Sequence, residues 1–107
     1  MSERLSPEVI RAGELVLDKS RRVVWRGGYA EIHLTKRECR LLEVFMTHSG
    51  EVLNHEILMR QVWDTDYVGD IRVLYAYIHW LRRKIEGAAG GAIYTVRGMG
   101  YRFSAAE

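Results

Sequence analysis

The sequence predicts an α+β fold: an N-terminal antiparallel β-sheet, a three-helix bundle and a C-terminal β-hairpin. Three observations carry that expectation. β-prone runs separated by turn residues fill the first third of the chain. Helical periodicity of apolar residues dominates the middle, and two short β-runs flank Gly98-Met99-Gly100 near the end.

Taken in order, Leu15-Val16-Leu17, Arg22-Val23-Val24-Trp25 and Tyr29-Ala30-Glu31-Ile32-His33 are the β-prone runs. Asp18-Lys19-Ser20-Arg21 and Arg26-Gly27-Gly28 are the turns between them. Val9-Ile10-Arg11, before Ala12-Gly13, is a candidate for one more strand, so the meander has three or four. Residues 1–8 are expected to form an N-terminal tail, and residues 9–105 one domain. A meander this small is marginal alone and needs a helix over its apolar face.

Thr35-Lys36-Arg37-Glu38 announces that helix as a Thr-x-x-Glu capping box, with Leu34 and Cys39 at the staple positions. Leu41, Leu42, Phe45 and Met46 follow at helical spacing, and His48-Ser49-Gly50 ends the run. Residues 50–53 read as a brief connection. Asn54 is a good N-cap for a second helix, which carries Ile57, Leu58 and Val62 on one side and closes near Trp63. After the acidic loop Asp64-Thr65-Asp66-Tyr67-Val68-Gly69-Asp70, a third helix is expected from about Ile71 to Glu86, ended by the glycines and alanines of residues 87–92. Ile93-Tyr94-Thr95-Val96-Arg97 and Tyr101-Arg102-Phe103 complete the hairpin.

The chain has 107 residues, 48% of them hydrophobic and three of them tryptophan, enough for one self-supporting core. No apolar run approaches the roughly 20 residues of a membrane span, and Met1-Ser2-Glu3-Arg4 lacks the pattern of a signal peptide. A single cysteine fits a reducing compartment, so a soluble, cytoplasmic location is expected. The overall charge of +2 is small, but its distribution is uneven. Residues 71–107 hold six basic and two acidic side chains, a balance of +4, against ten and twelve, or −2, in residues 1–70. A positive C-terminal third is the asymmetry expected when one face meets a polyanion.

At 100° per residue, Leu74, Ile78, Leu81 and Ile85 of the third helix share one face, with Tyr77 at its margin. Opposite stand Arg72, Ala76, His79 and Arg83, flanked by Val73 and Trp80. Small apolar groups and an aromatic among arginines suit the DNA major groove, where thymine methyls and base acceptors are both offered. Arg97, on a thin hairpin, suits the narrow minor groove, whose negative potential is enhanced. The bland reading of the same residues is Trp80 packed under a loop, solvated arginines and a hairpin that only completes a sheet.

These pieces together resemble the OmpR/PhoB-type effector domain of two-component response regulators, a winged helix-turn-helix fold. The resemblance runs from Leu34 to Phe103. It rests on Leu34-Thr35-Lys36-Arg37-Glu38-Cys39-Arg40-Leu41-Leu42, Val62-Trp63, Gly69-Asp70-Ile71-Arg72-Val73, Leu81-Arg82-Arg83-Lys84-Ile85-Glu86 and, most specifically, Thr95-Val96-Arg97-Gly98-Met99-Gly100-Tyr101-Arg102-Phe103. It implies a four-stranded N-terminal sheet, three helices and a C-terminal wing. It also implies base-reading positions at Val73, Ala76 and Trp80, phosphate contacts at Arg72, Tyr77, His79, Arg82 and Thr95, and a minor-groove arginine at Arg97. Trp63 and the segment holding Asp64, Asp66, Tyr67 and Asp70 match the part such proteins use to touch the DNA backbone or RNA polymerase. Tandem homodimers on promoter direct repeats, and a receiver domain outside this chain, are implied likewise.

Two departures bear on these expectations. Proteins of this kind commonly carry two arginines where His79 and Trp80 stand, so the preferred base sequence should differ. Asp64 replaces a usual glycine, which affects the loop. The rival reading is a winged-helix protein-interaction module that docks through Trp63, Trp80 and the acidic loop. His33, His48, His55 and His79 do not pair with Cys39 at metal-ligand spacing, and the loop acids lack the glycine and glutamate of a calcium loop. No cofactor, metal or catalytic set is expected, and Cys39 reads as a small buried hydrophobe.

Overall fold

The computed structural model describes residues 2–6, 8–28, 31–63, 70–86 and 92–104, with only the backbone described for 2–6. Eleven elements follow one another among them. They are β1 (Ser2–Ser6), β2 (Val9–Ala12), β3 (Leu15–Asp18), β4 (Val23–Arg26), β5 (Ile32–His33), α1 (Lys36–Thr47), β6 (Val52–Leu53), α2 (His55–Trp63), α3 (Arg72–Ile85), β7 (Ile93–Val96) and β8 (Gly100–Phe103). The first five strands form an antiparallel meander in sequence order, and the last three form a small sheet with β8 in the middle.

The sheet's alternation explains its placement. Ile10, Ala12, Leu15 and Leu17 are buried with Val24, while the residues between them are more exposed. The apolar face of α1, with Leu41, Leu42, Phe45 and Met46 fully buried, closes over that row. Where two aliphatic positions stand side by side at Val23 and Val24, both are buried, and Val24 belongs to the core cluster. The β3–β4 turn is held by Asp18, whose Oδ1 accepts from the Ser20 and Arg21 amides.

The capping box forms as expected. The Glu38 amide donates to Thr35 Oγ1 at 3.2 Å, and the Thr35 amide donates to Glu38 Oε1 at 2.8 Å. Lys84 Nζ on α3 donates to the same carboxylate oxygen at 2.6 Å, so one buried glutamate joins the start of α1 to the end of α3. Burial alone would raise the Glu38 carboxyl; the bonds from Lys84 and from Thr35 outweigh it and hold the group below the ordinary glutamate range.

Several expectations are corrected here. Residues 2–6, read as a tail, pair antiparallel with β2 as an edge strand. Ser2-Glu3-Arg4-Leu5-Ser6 has no apolar alternation, and an edge strand tolerates that polarity because only one side needs backbone partners. Within the connection at residues 50–53, Val52 and Leu53 form β6, paired with Arg102 and Tyr101. Ile57, expected on the core side of α2, is exposed, and Met59 is buried in its place beside Leu58 and Val62. The Asn54 cap itself is present, with the Ile57 amide donating to Asn54 Oδ1 at 2.8 Å. Of the expected run 29–33, Ile32–His33 pairs with β4, and residues 29–30 lie outside the described set. The segments 64–69 and 87–91 also lie outside it.

Gly100 shows how tightly the hairpin is seated. Its φ is +145°, and a Cβ there would stand 2.2 Å from the Leu53 carbonyl oxygen and 2.8 Å from Asn54 Cα. Backbone cannot yield as a side chain can, so Gly100→Ala is expected to lower the melting temperature far more than Gly98→Ala, whose Cβ would enter open space. Differential scanning calorimetry of both variants checks this. Glu38→Gln keeps the capping oxygen and is expected to cost about 1–2 kcal/mol at pH 7 through the lost charge-assisted bond to Lys84. Because the folded value is depressed, the carboxylate's contribution is complete above the ordinary value of about 4.3 and is lost as pH falls through the folded one. Urea melts at neutral and strongly acid pH should therefore show the gap between wild type and variant closing on acidification.

Candidate nucleic-acid interface

The candidate surface is built on α3 and the β7–β8 hairpin, and the core fixes how α3 is turned. Leu74, Ile78, Leu81 and Ile85 are buried to 2% exposure or less, as the wheel requires. Ala76, His79 and Arg83 are consequently exposed, and Trp80 is 53% exposed, uncovered by its own subunit among the described residues. The Trp80 ring meets the His79 ring edge to face at 5.3 Å between centroids. That contact fixes an aromatic plate on the outer face. Val73 is half-buried, nearer the core than the expected flank position.

Each end of α3 is anchored by a different device. At the start, Asp70 accepts from the Arg72 amide at 2.9 Å and from Arg72 Nε at 2.7 and 2.9 Å, and also pairs with Nη2 of the same guanidinium. The Arg72 side chain and then its amide hold the Asp70 carboxyl below the usual carboxylate range. Asp70, expected in the contact loop, thus serves as the first-turn acceptor of α3. At the far end, Arg26 Nη1 donates to the Ile85 carbonyl at 2.8 Å. Arg82, Arg83 and Lys84 crowd the last turn, where the helix dipole favours cations.

The hairpin is locked to this helix. Arg82 donates through Nε to the Ile93 carbonyl at 3.1 Å and through Nη2 to Thr95 Oγ1 at 2.9 Å, and its guanidinium lies 5.5 Å from the Tyr101 ring centre. Glu86 Oε1 accepts from the Ala92 and Ile93 amides at 2.7 and 2.8 Å. Arg97 stands exposed at the turn that Gly98 and Met99 complete, and Met99 is 61% exposed at its tip. The fold therefore brings together Ala76, His79, Trp80 and Arg83 on one face, with Arg97 on a projecting hairpin beside it. Arg82 and Thr95 are engaged with each other between the two.

Of the remaining expected residues, Trp63 and Tyr77 meet on the flank of α3 away from the hairpin. Trp63 is half-buried, with its ring 5.5 Å from that of Tyr77 in an edge arrangement and the Arg37 guanidinium 5.2 Å from it. Asp64, Asp66 and Tyr67 lie outside the described residues. One exposed side chain on α3 escapes the sequence reasoning. Tyr75 is 47% exposed and borders a groove with the hairpin. Its wheel position, about 100° from Ala76 and 20° from Arg82, is the signal that could have found it. Among the described residues no group of His, Cys, Asp and Glu could hold a metal ion, and no helix is long and apolar enough to cross a membrane.

Such an α3 and hairpin on a three-helix core define a winged helix-turn-helix domain. The family described as "Transcriptional regulatory protein, C terminal" matches residues 23–103, and the chain belongs to it: the OmpR/PhoB-type DNA-binding domains of response regulators, not a class of enzymes. The chain is 42% identical over 100 residues to the sensory transduction protein RegX3 of Mycobacterium leprae, covering 92% of this chain and 50% of that one. It is 39% identical over 102 residues to the transcriptional regulatory protein AfsQ1 of Streptomyces coelicolor, covering 94% and 45%. The chain thus spans about half the length of these relatives. Among solved structures, the DNA-binding domain of Klebsiella pneumoniae RstA in complex with the RstA box superposes with a TM-score of 0.77 at 29% identity, covering 91% of this chain and 97% of that one.

Proposed function

We propose that this chain is the transcription-controlling output domain of a cytoplasmic response regulator, reading double-stranded DNA with α3 in the major groove and the β7–β8 wing at the adjacent minor groove. The observation that carries the proposal is the bare outer face of α3: Trp80, Ala76, His79 and Arg83 stand uncovered while the opposite face is sealed. Family membership and the likeness to a domain solved with DNA support it.

In this reading Val73, Ala76 and Trp80 meet base edges. Indole has one donor and a broad apolar plate, so Trp80 favours contact with thymine methyls over the bidentate guanine contact an arginine would make. Arg72, Tyr77, His79, Arg82, Arg83 and Thr95 meet phosphates, and Arg97 enters the minor groove. Phosphate contacts supply most of the affinity and base contacts the choice of site. Two copies bind head to tail on promoter direct repeats, centred about one helical turn apart. Trp63 and the acidic segment through Asp70 face RNA polymerase.

Four arginines on this surface give an expected log–log slope of affinity against salt of about −4. Arg97→Ala should weaken binding on most duplexes, reduce that slope by about 1, and cost most on A·T-rich flanks. Fluorescence anisotropy with random and promoter duplexes at several salt concentrations measures both; a flat salt response would instead favour a protein-docking module. A Trp80→Ala variant should select a different motif from a random duplex pool. An unchanged motif would remove Trp80 from the base-reading set.

A further inference from the structure

If α3 occupies a major groove and the wing the neighbouring minor groove, one sugar–phosphate strand must pass between them, because that strand is what separates the two grooves. The surface at that place is a groove lined by Tyr75 of α3 and by Thr95, Arg97 and Tyr101 of the hairpin, with Asn54 and Glu56 at the start of α2 also lining it. Resting on the DNA-binding reading above, we propose that Tyr75 is a further DNA-contact residue, donating its phenolic hydrogen to a phosphate oxygen of the strand running through this groove.

Three features point to a phosphate and not to a base edge. Tyr75 sits on the wing-facing flank of α3, nearly in line with Arg82 seven residues on, whereas the base-facing direction is that of Ala76 and Trp80. A flank of a helix lying in the major groove meets the strand bordering the groove. Next, the Tyr75 hydroxyl has no hydrogen-bond partner among the described residues, although the ring is only half-exposed. A phenol is both donor and acceptor, and this one is left with its donor free in a groove that Arg97 also lines. Lastly, the Tyr101 phenol lines the same groove as Tyr75. Burial, and then the Tyr75 group, push the Tyr101 hydroxyl above its ordinary value. The Tyr101 phenol therefore stays protonated and able to donate at neutral pH. The one carboxylate in the groove, Glu56, is drawn back along α2 by Arg60 at 3.1 Å, which lessens its repulsion of a phosphate.

Tyr75→Phe tests this with the least disturbance, since the ring and its packing stay. Anisotropy titrations of wild type and variant against several unrelated duplexes are expected to show a loss of about 3- to 10-fold, alike on all of them. The salt slope and the motif selected from a random pool should not change. Equal affinity of variant and wild type would overturn the proposal, and so would a loss confined to one sequence or a changed motif. Coincident thermal melts of the two proteins guard against a folding effect, and Tyr75→Met, which keeps apolar bulk without a donor, should reproduce the loss. Wild type failing to bind any duplex would sink the DNA-binding reading itself, a result distinct from a Tyr75 variant that binds like its parent.

Discussion

The rotation of α3 about its own axis is the constraint from which the rest follows. Leu74, Ile78, Leu81 and Ile85 form a stripe that α1, α2 and the C-terminal strands cover completely. Each such side chain contributes about 1.5–3 kcal/mol when buried, so turning the helix by even half the width of the stripe would expose several of them. With that face fixed, the outward direction of Ala76, His79, Trp80 and Arg83 is not adjustable. The large apolar ring of Trp80 in water is thus a consequence of core packing. A solvated helix serving only as a lid would carry polar residues there.

A second set of contacts makes the helix and the wing one body. Arg82 commits its guanidinium to the Ile93 carbonyl, Thr95 and the Tyr101 ring, Glu86 gathers the amides of Ala92 and Ile93, and Gly100 lets β8 press against the Leu53 backbone. The separation between the recognition face and the hairpin tip is thereby preset. Since ordering a loop on binding opposes association, a preset spacing favours docking onto two grooves at once. It also leaves Arg82 with divided duties, because donors already satisfied within the protein have less to offer a phosphate.

The elements with strong local signatures are legible in the amino-acid string. The Thr35–Glu38 box, the Asn54 cap and the four-residue stripe of α3 all depend on neighbours within one or two helical turns, and each forms where its residues predict. The elements that the string hides depend on distant partners. β1 lacks apolar alternation and exists through its pairing with β2; β6 is two residues long and exists through its pairing with β8. Ile57 and Met59 exchange places because α2's burial is set by α1 beside it, and a nine-residue helix gives the wheel too few turns to decide.

The sequence by itself determined the order of the longer elements, the sealed and open faces of α3, the hairpin arginine and, through the resemblance from Leu34 to Phe103, the family. These are properties of local periodicity and motif, which a linear string records in full. Tertiary structure alone decided that Lys84 reaches Glu38, that Arg82 is bound to the wing, that Asp70 serves the first turn of α3, and that Tyr75 faces the hairpin across a groove. The physical reason is reach. Most of these side chains find partners or neighbours 11 or more residues away, and which of several possible acceptors captures a charged group is fixed by how the core stacks α1, α3 and β8.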